Sequence, residues 1–171
     1  MEEIKKAIKE DILEIVRIME SAGDATERGW YIADDLAFIE RHIEKEGYIL
    51  KYMTDGTTAG FLIVRRPMLA EDNLGRTLEN WSEGLLTKVS HMESAAVLPE
   101  FRGQKIQKKL LEEAEKIERK QGMQYLMCTV HPENRYSVEN LEQLGYMVLL
   151  ETEKYGGLRR KIVYKKLDEA R

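Results

Sequence analysis

The stretch that most constrains the fold runs Val97-Leu98-Pro99-Glu100-Phe101-Arg102-Gly103-Gln104-Lys105-Ile106-Gln107-Lys108-Lys109-Leu110-Leu111. An apolar run, Ala95 to Leu98, precedes the turn and reads as the end of a strand. After the turn, Ile106, Leu110, Ala114 and Ile117 recur at three- and four-residue spacing, with Leu111 beside them and Lys and Glu opposite. That spacing predicts a helix with one buried face. A helix start presents backbone N–H groups and the positive end of a dipole, and phosphate oxygens bind to both. Arg102, Lys105, Lys108 and Lys109 add cationic charge at the same turn. Read alone, the segment is either an anion-binding turn or an ordinary basic helix start.

The elements on either side follow from periodicity. Ile4 to Ile8 reads as a strand. Asp11 to Ala22 reads as a helix with Ile12, Ile15, Val16 and Met19 on one face, stopped at Gly23. A polar, irregular stretch from Gly23 ends at Trp30 and Tyr31. Asp34 to Glu46 reads as a second helix, with Leu36, Ile39 and Ile43 inward and Gly47 at its end. Tyr48 to Met53 and Thr57 to Arg65 read as strands joined by Asp55-Gly56, a strong hairpin signal. In Arg66 to Leu86, Leu74, Leu78, Trp81 and Leu85 fall at i, i+4, i+7 and i+11, which predicts a short amphipathic helix. Thr87 to Leu98 is a strand, and the basic helix ends near Gln121-Gly122. Tyr125 to Val130 is almost wholly apolar, as in a strand covered on both faces. Asn134 to Leu144 reads as a helix stopped by Gly145. Tyr146 to Thr152 and Ile162 to Leu167 read as final strands linked through Gly156-Gly157.

The order β-α-α-β-β-β-α-β-α-β-β resembles that of the GNAT superfamily of acyl-CoA N-acyltransferases over Ile4 to Leu167. Two local matches carry the resemblance. Val97-x-Pro99-Glu100-x-Arg102-Gly103 followed by Gln104-Lys105-Ile106-Gln107 resembles the family's pyrophosphate loop, Arg/Gln-x-x-Gly-x-Gly/Ala, with Lys105 and Gln107 in place of its two glycines. Because helical backbone does not demand glycine, the substitutions are read as tolerable. Asn134-Arg135-Tyr136-Ser137-Val138-Glu139-Asn140-Leu141-Glu142-Gln143-Leu144-Gly145-Tyr146 resembles the family's Asn-x-x-Ser/Ala-x-x-x-Tyr/Leu-Glu-x-x-Gly-Phe/Tyr segment.

The resemblance implies a single domain over 1–171, of α/β (α+β) class. Its sheet would be mixed, mostly antiparallel and six- or seven-stranded, flanked by helices. It implies acetyl-CoA as co-substrate, no metal, and a small-molecule or peptide amine as acceptor, attacking directly in a ternary complex. Backbone groups of Ala96, Val97 and Leu98 would pair with the pantetheine arm, and Val97 N–H would serve the oxyanion. Backbone N–H groups of Arg102, Gly103, Gln104, Lys105, Ile106 and Gln107 would hold the diphosphate. Asn134, with Ser137 beyond it, would contact the arm, although Asn134 suits a helix cap equally. Glu93 is the leading base, and His91 the second, because i, i+2 spacing sets both on one strand face. His131, beside Pro132, suits a turn or the same site. Many members carry a thiolate-protonating tyrosine where this chain has Leu141, so Tyr155 is taken as acid in its place; Tyr136 lies a turn from Leu141. Thr129 stands where members that acetylate ribosomal-protein N-termini carry a glutamate, which argues against that substrate class. Acidic Glu71, Asp72, Glu79 and Glu83 suit a cationic acceptor or simply a solvated face. The alternatives are a CoA- or acyl-CoA-binding module without turnover and, less favoured, a site for another phosphate ligand. The family leaves a homodimer open.

Composition narrows the partners. A chain of 171 residues suits one domain that buries roughly 70% of its unfolded surface. A net charge of −4 argues against a nucleic-acid footprint. No run is long and apolar enough for a membrane span, and the first residues do not form a signal peptide. The single cysteine, Cys128, lies in the apolar strand, reads as packing, and suits a reducing compartment. The expected location is therefore cytoplasmic. Three histidines and one cysteine, scattered along the chain, are too few for a zinc site.

Overall fold

The structure, a computed structural model, describes residues 1–25, 35–154 and 156–168. The element order is β1 (Glu2–Lys6), α1 (Ile12–Ala25), α2 (Leu36–Glu44), β2 (Gly47–Thr54), β3 (Thr57–Arg65), α3 (Glu83–Leu86), β4 (Val89–Val97), α4 (Ile106–Lys120), β5 (Tyr125–Val130), α5 (Arg135–Gln143), β6 (Met147–Lys154) and β7 (Leu158–Lys166). The strands form one mixed seven-stranded sheet in the order β1-β2-β3-β4-β5-β7-β6. The β1–β2, β2–β3, β5–β7 and β7–β6 pairs are antiparallel and the β4–β5 pair is parallel. The expected fold class is therefore observed.

The residues divide into two compact units, Met1–Arg65 with Glu93–Ala114, and Arg66–Met92 with Glu115–Arg171. In the first unit, Ile15, Ile18, Met19 and Ala22 bury one face of α1 against Ile39 of α2 and Ile49, Phe61, Ile63 and Ala96 of the strands. The β2–β3 turn has Asp55 at φ +48 and Gly56 at φ +80, the left-handed pair that matches hairpin twist. Asp35 Oδ1 accepts from Phe38 N at 2.7 Å and caps α2. Lys51 Nζ reaches Asp11 Oδ1 at 2.6 Å, so this buried lysine is paired.

Gly60 is the tightest point of that unit. A Cβ built there would lie 2.8 Å from Ala96 O and 3.2 Å from both Ile106 Cγ2 and Val97 Cγ2. Leu98 N also donates to Ala59 O at 2.8 Å. The end of β4 and the start of α4 are thus pressed onto the middle of β3, and only glycine permits so close an approach.

In the second unit, Leu74, Val89, Met127 and Ile162 form the core, with Leu78, Leu85, Tyr125, Leu149, Leu150 and Tyr164 packed around them. The β4–β5 ladder runs from Val89↔Tyr125 to His91↔Met127. Glu118 of α4 is fully buried. It accepts from Arg66 Nε at 3.1 Å and Arg66 Nη2 at 2.7 Å, and also from Ser90 Oγ of β4.

Three expectations shift. The first strand covers Glu2–Lys6 rather than Ile4 to Ile8. The helix expected over Leu74 to Leu85 is replaced by a 3-10 turn at Leu74–Thr77, an extended Leu78, and the single turn of α3. The cause is polar. Asn73 Nδ2 donates to Met68 O at 2.7 Å and Leu86 O at 3.1 Å, and its Oδ1 accepts from Gly75 N at 2.8 Å. Side-chain bonds to local backbone therefore replace a helical ladder. Trp81, expected inward, is 43% exposed with Arg76 stacked over its ring. The expectations for Trp30, Tyr31 and Tyr155 fall outside the described residues.

Removing one partner of a buried ion pair leaves the other poorly compensated. Glu118→Ala should therefore lower unfolding free energy by about 3 kcal/mol, the low end for such losses because Arg66 can rehydrate. Glu118→Gln should cost less. Urea denaturation checks both, and a Glu118→Ala loss below ~1 kcal/mol would show that the pair is dispensable.

Candidate active site

β4 and the turn that follows it carry most of the expected site. Pro99–Phe101 forms a 3-10 turn, Arg102 follows in extended backbone, and α4 begins at Ile106. Arg102, Gly103, Gln104 and Lys105 are exposed while Ile106 is buried, so the turn is open outward and anchored at its helical end. Gly103 has φ +82 and Lys105 has φ +60. Alternating left-handed residues turn successive amides to one side and make an anion-binding concavity. Lys105 O accepts from Lys109 N at 3.0 Å, the first bond of α4. The helix start therefore opens directly onto this turn.

This geometry corrects the reading that glycine is not demanded here. Lys105 occupies a glycine-like backbone conformation, which costs an L-residue roughly 1–2 kcal/mol. Gln107 is different. It lies within α4, where ordinary helical backbone serves.

Strand alternation sorts the three residues before the turn. Leu98 N–H is bonded to Ala59 O, and Ala96 O faces Gly60. Both residues thus present their backbone groups to β3, and Val97, between them, turns its N–H away from β3.

The titratable candidates separate. Glu93 is partly buried, with Oε1 4.0 Å from Arg65 Nη1. His91 is only 4% exposed, and its Nε2 accepts from Leu74 N at 3.0 Å, which fixes the lone pair on a backbone amide. The arrangement makes His91 a strut for the 66–88 segment. His131 Nδ1 accepts from Glu133 N at 3.1 Å, a turn role. Asn134 caps α5, with Oδ1 3.3 Å from Ser137 N. Leu141 is buried, Tyr136 is exposed and Cys128 is buried, as packing requires. Burial pushes the Tyr146 phenol well above its ordinary value, and its hydroxyl has no hydrogen-bond partner among the described residues.

One residue escaped the sequence reading. His42 side chain is fully buried in α2, stacked on Phe38 with ring centroids 4.1 Å apart. Its Nδ1 lies 2.7 Å from Phe38 O, a bond that places the proton on Nδ1. Nε2 is buried without a hydrogen-bond partner among the described residues. Burial holds the ring below the usual histidine range, against the opposing influences of the Phe38 carbonyl, Glu46 and Glu93. The available signal was its place on the Ile39–Ile43 helical face.

If the left-handed turn is intrinsic to the loop, Lys105→Gly should raise the stability of the ligand-free protein by roughly 0.5–1 kcal/mol, the strain relief less the entropy of glycine. A β-branched residue tolerates this region poorly, so Lys105→Val should lower it by more than ~1 kcal/mol. Thermal and urea unfolding measure both, and a destabilised glycine variant would contradict the assigned backbone.

Known structures share this fold. The ribosomal-protein-S18-alanine N-acetyltransferase of Escherichia coli superposes with a TM-score of 0.75 at 16% identity, covering 99% of this chain and 96% of that one. The yncA structure of Salmonella typhimurium, solved with its cofactor acetyl-CoA, gives 0.74 at 21% identity and covers 99% and 95%. The PaiA N-acetyltransferase of Thermoplasma acidophilum, in complex with coenzyme A, gives 0.68 at 20% identity and covers 98% and 99%. At these identities the likeness is one of fold. No curated protein matches the sequence. The model of the acetyltransferase (GNAT) family matches residues 11–146, most of the chain, and the protein belongs to that family.

Proposed function

We propose that the protein transfers an acetyl group from acetyl-CoA to a primary amine of a small molecule or peptide, acting as one domain over 1–171. The observation that carries this reading is the 102–107 turn. It keeps left-handed backbone at Gly103 and at Lys105, where the family has glycine, and it opens onto the start of α4. Strain retained in an exposed loop is explained by a ligand that uses the resulting amide array. The diphosphate of CoA supplies such a ligand, and Arg102 and Lys105 add charge.

The reaction needs a neutral amine. With a pKa near ~10.4, the neutral form costs about 4–5 kcal/mol at pH 7. In this account the Glu93 carboxylate takes the amine proton. The amine nitrogen then bonds to the thioester carbonyl carbon, and Val97 N–H stabilises the oxyanion. As the C–S bond breaks, the sulfur leaves as thiolate and is protonated to CoA thiol. A thiol pKa near ~8.5 makes this leaving group modest in its demand for acid, so Tyr155 or water suffices and Leu141 does not block turnover. Asn134 and Ser137 are kept as pantetheine contacts on the family pattern alone. The engaged lone pair of His91 favours Glu93 as base.

The second reading, a CoA-binding module without turnover, is favoured by one feature: the apolar Leu141 in place of an acid. Release of free thiol from acetyl-CoA across a panel of amines separates the two.

Acetyl-CoA at ~100-fold above its Kd should stabilise the protein by roughly 2.7 kcal/mol, on the order of 5–10 °C in Tm for this size. No shift in CoA-free protein would contradict both readings. Glu93→Gln should reduce kcat/KM by ~10²–10⁴-fold at neutral pH, with the loss shrinking as pH rises and the acceptor deprotonates unaided. Superimposable pH profiles for the two proteins would remove Glu93 as base.

A further inference from the structure

We propose that His42 Nε2 is an acceptor for the N–H of the incoming amine, and that with the carboxylates of Glu46 and Glu93 it forms a subsite selective for primary ammonium groups. The inference rests on the acetyltransferase reading and adds a positioning residue from α2 to it.

Three observations converge. First, the Nδ1 bond to Phe38 O leaves Nε2 as the lone-pair nitrogen, and that nitrogen has no donor among the described residues although the side chain is fully buried. A buried acceptor left unmatched costs stability, so its retention calls for a donor that the ligand-free chain lacks. Second, Glu46 Oε2 lies 3.8 Å from Nε2, on a side chain that is half exposed. The Glu46 carboxylate thus lies on the lone-pair side of the ring, and in the proposal it turns aside to admit a ligand to the nitrogen. Glu46 is itself held at φ +33, a backbone that glutamate adopts only at a cost. Third, β2–β3 pairing sets Gly47 opposite Arg65, and Arg65 lies 4.0 Å from Glu93. The residue following Glu46 is thus tied through the sheet to the proposed base.

The charges around the ring favour a cation. Glu46, just past α2, lies beside it, and the charge of Glu93 on β4 also acts on it, while Arg65 on β3 and Arg41 on α2 are the neighbouring positive groups. Arg41 Nε lies 3.7 Å from Glu46 Oε2 and is displaced as a partner when that carboxylate turns to a ligand. A primary ammonium carries three N–H donors. One bonds to Nε2, while the other two meet carboxylates. Secondary and tertiary amines have fewer donors, and an alcohol offers one donor without charge.

The test uses the full chain with acetyl-CoA present and two variants. His42→Gln keeps an acceptor near Nε2, and His42→Leu removes it while filling similar space. The probes are n-butylammonium, spermidine and a Gly-Lys peptide. Binding is followed by the ring ¹⁵N signals of His42, and turnover separately by thiol release. Expected are a saturable shift of the His42 Nε2 signal with at least one probe and, in His42→Leu, a Kd or amine KM raised ~10–100-fold, the worth of one hydrogen bond to a charged group. The acetyl-CoA KM should be unchanged, and His42→Gln should recover most of the amine affinity. His42→Leu should also melt no lower than the wild type, because an orphan polar atom is removed. A structural role alone would lower Tm and leave amine affinity intact. An unmoved Nε2 signal with all three probes, or equal amine affinity in wild type and His42→Leu, overturns the proposal. Amine binding at His42 without thiol release would count against acetyl transfer to these probes and for the module without turnover, while the ammonium contact at Nε2 itself would be upheld.

Discussion

The absence of a side chain at Gly60 is the constraint on which the rest of the site depends. The Ala96 carbonyl, Val97 and Ile106 all crowd the place where a Cβ would stand. The Leu98–Ala59 bond holds the next residue in register. These contacts fix where β4 ends and where α4 begins, and so fix the eight residues between them. The same register decides that Val97 turns its amide away from β3. One missing methyl group therefore positions both the proposed anion turn and the proposed oxyanion donor.

The turn has its own tension. A lysine at φ +60 is less stable than a glycine would be. It offers a cationic side chain where glycine offers none. In an acidic protein that local charge favours a phosphate-bearing ligand at short range. The buried Glu118 with Arg66 and Ser90 works at the other end of α4, tying that helix to the start of β4 within its own unit. The helix is thus held at both ends by contacts that do not involve the exposed turn.

Much of this was legible in the sequence. β5 at Tyr125–Val130 and β3 at Thr57–Arg65 emerge where an apolar run and a turn dipeptide place them. The amphipathic α4 follows from its Ile106, Leu110 and Ala114 spacing. What was not legible depends on side chains meeting distant backbone. Four apolar residues at helical spacing do not make a helix in 74–85, because Asn73 and His91 bind the backbone there. His91 therefore reads as a base in one dimension and as a strut in three. The left-handed state of Lys105 runs against the local preference of an L-residue, so no propensity encodes it. His42 was passed over because one histidine among isoleucines looks like packing until its second nitrogen is seen to lack a partner.

The central claim is that the amides of the 102–107 turn hold the diphosphate of CoA. Backbone amide ¹H–¹⁵N shifts measured while CoA is titrated into the labelled protein test it most directly. The account predicts that Gly103, Gln104, Lys105 and Ile106 show the largest changes and saturate together with CoA binding. CoA binding that left these amides unmoved while shifting others would contradict it.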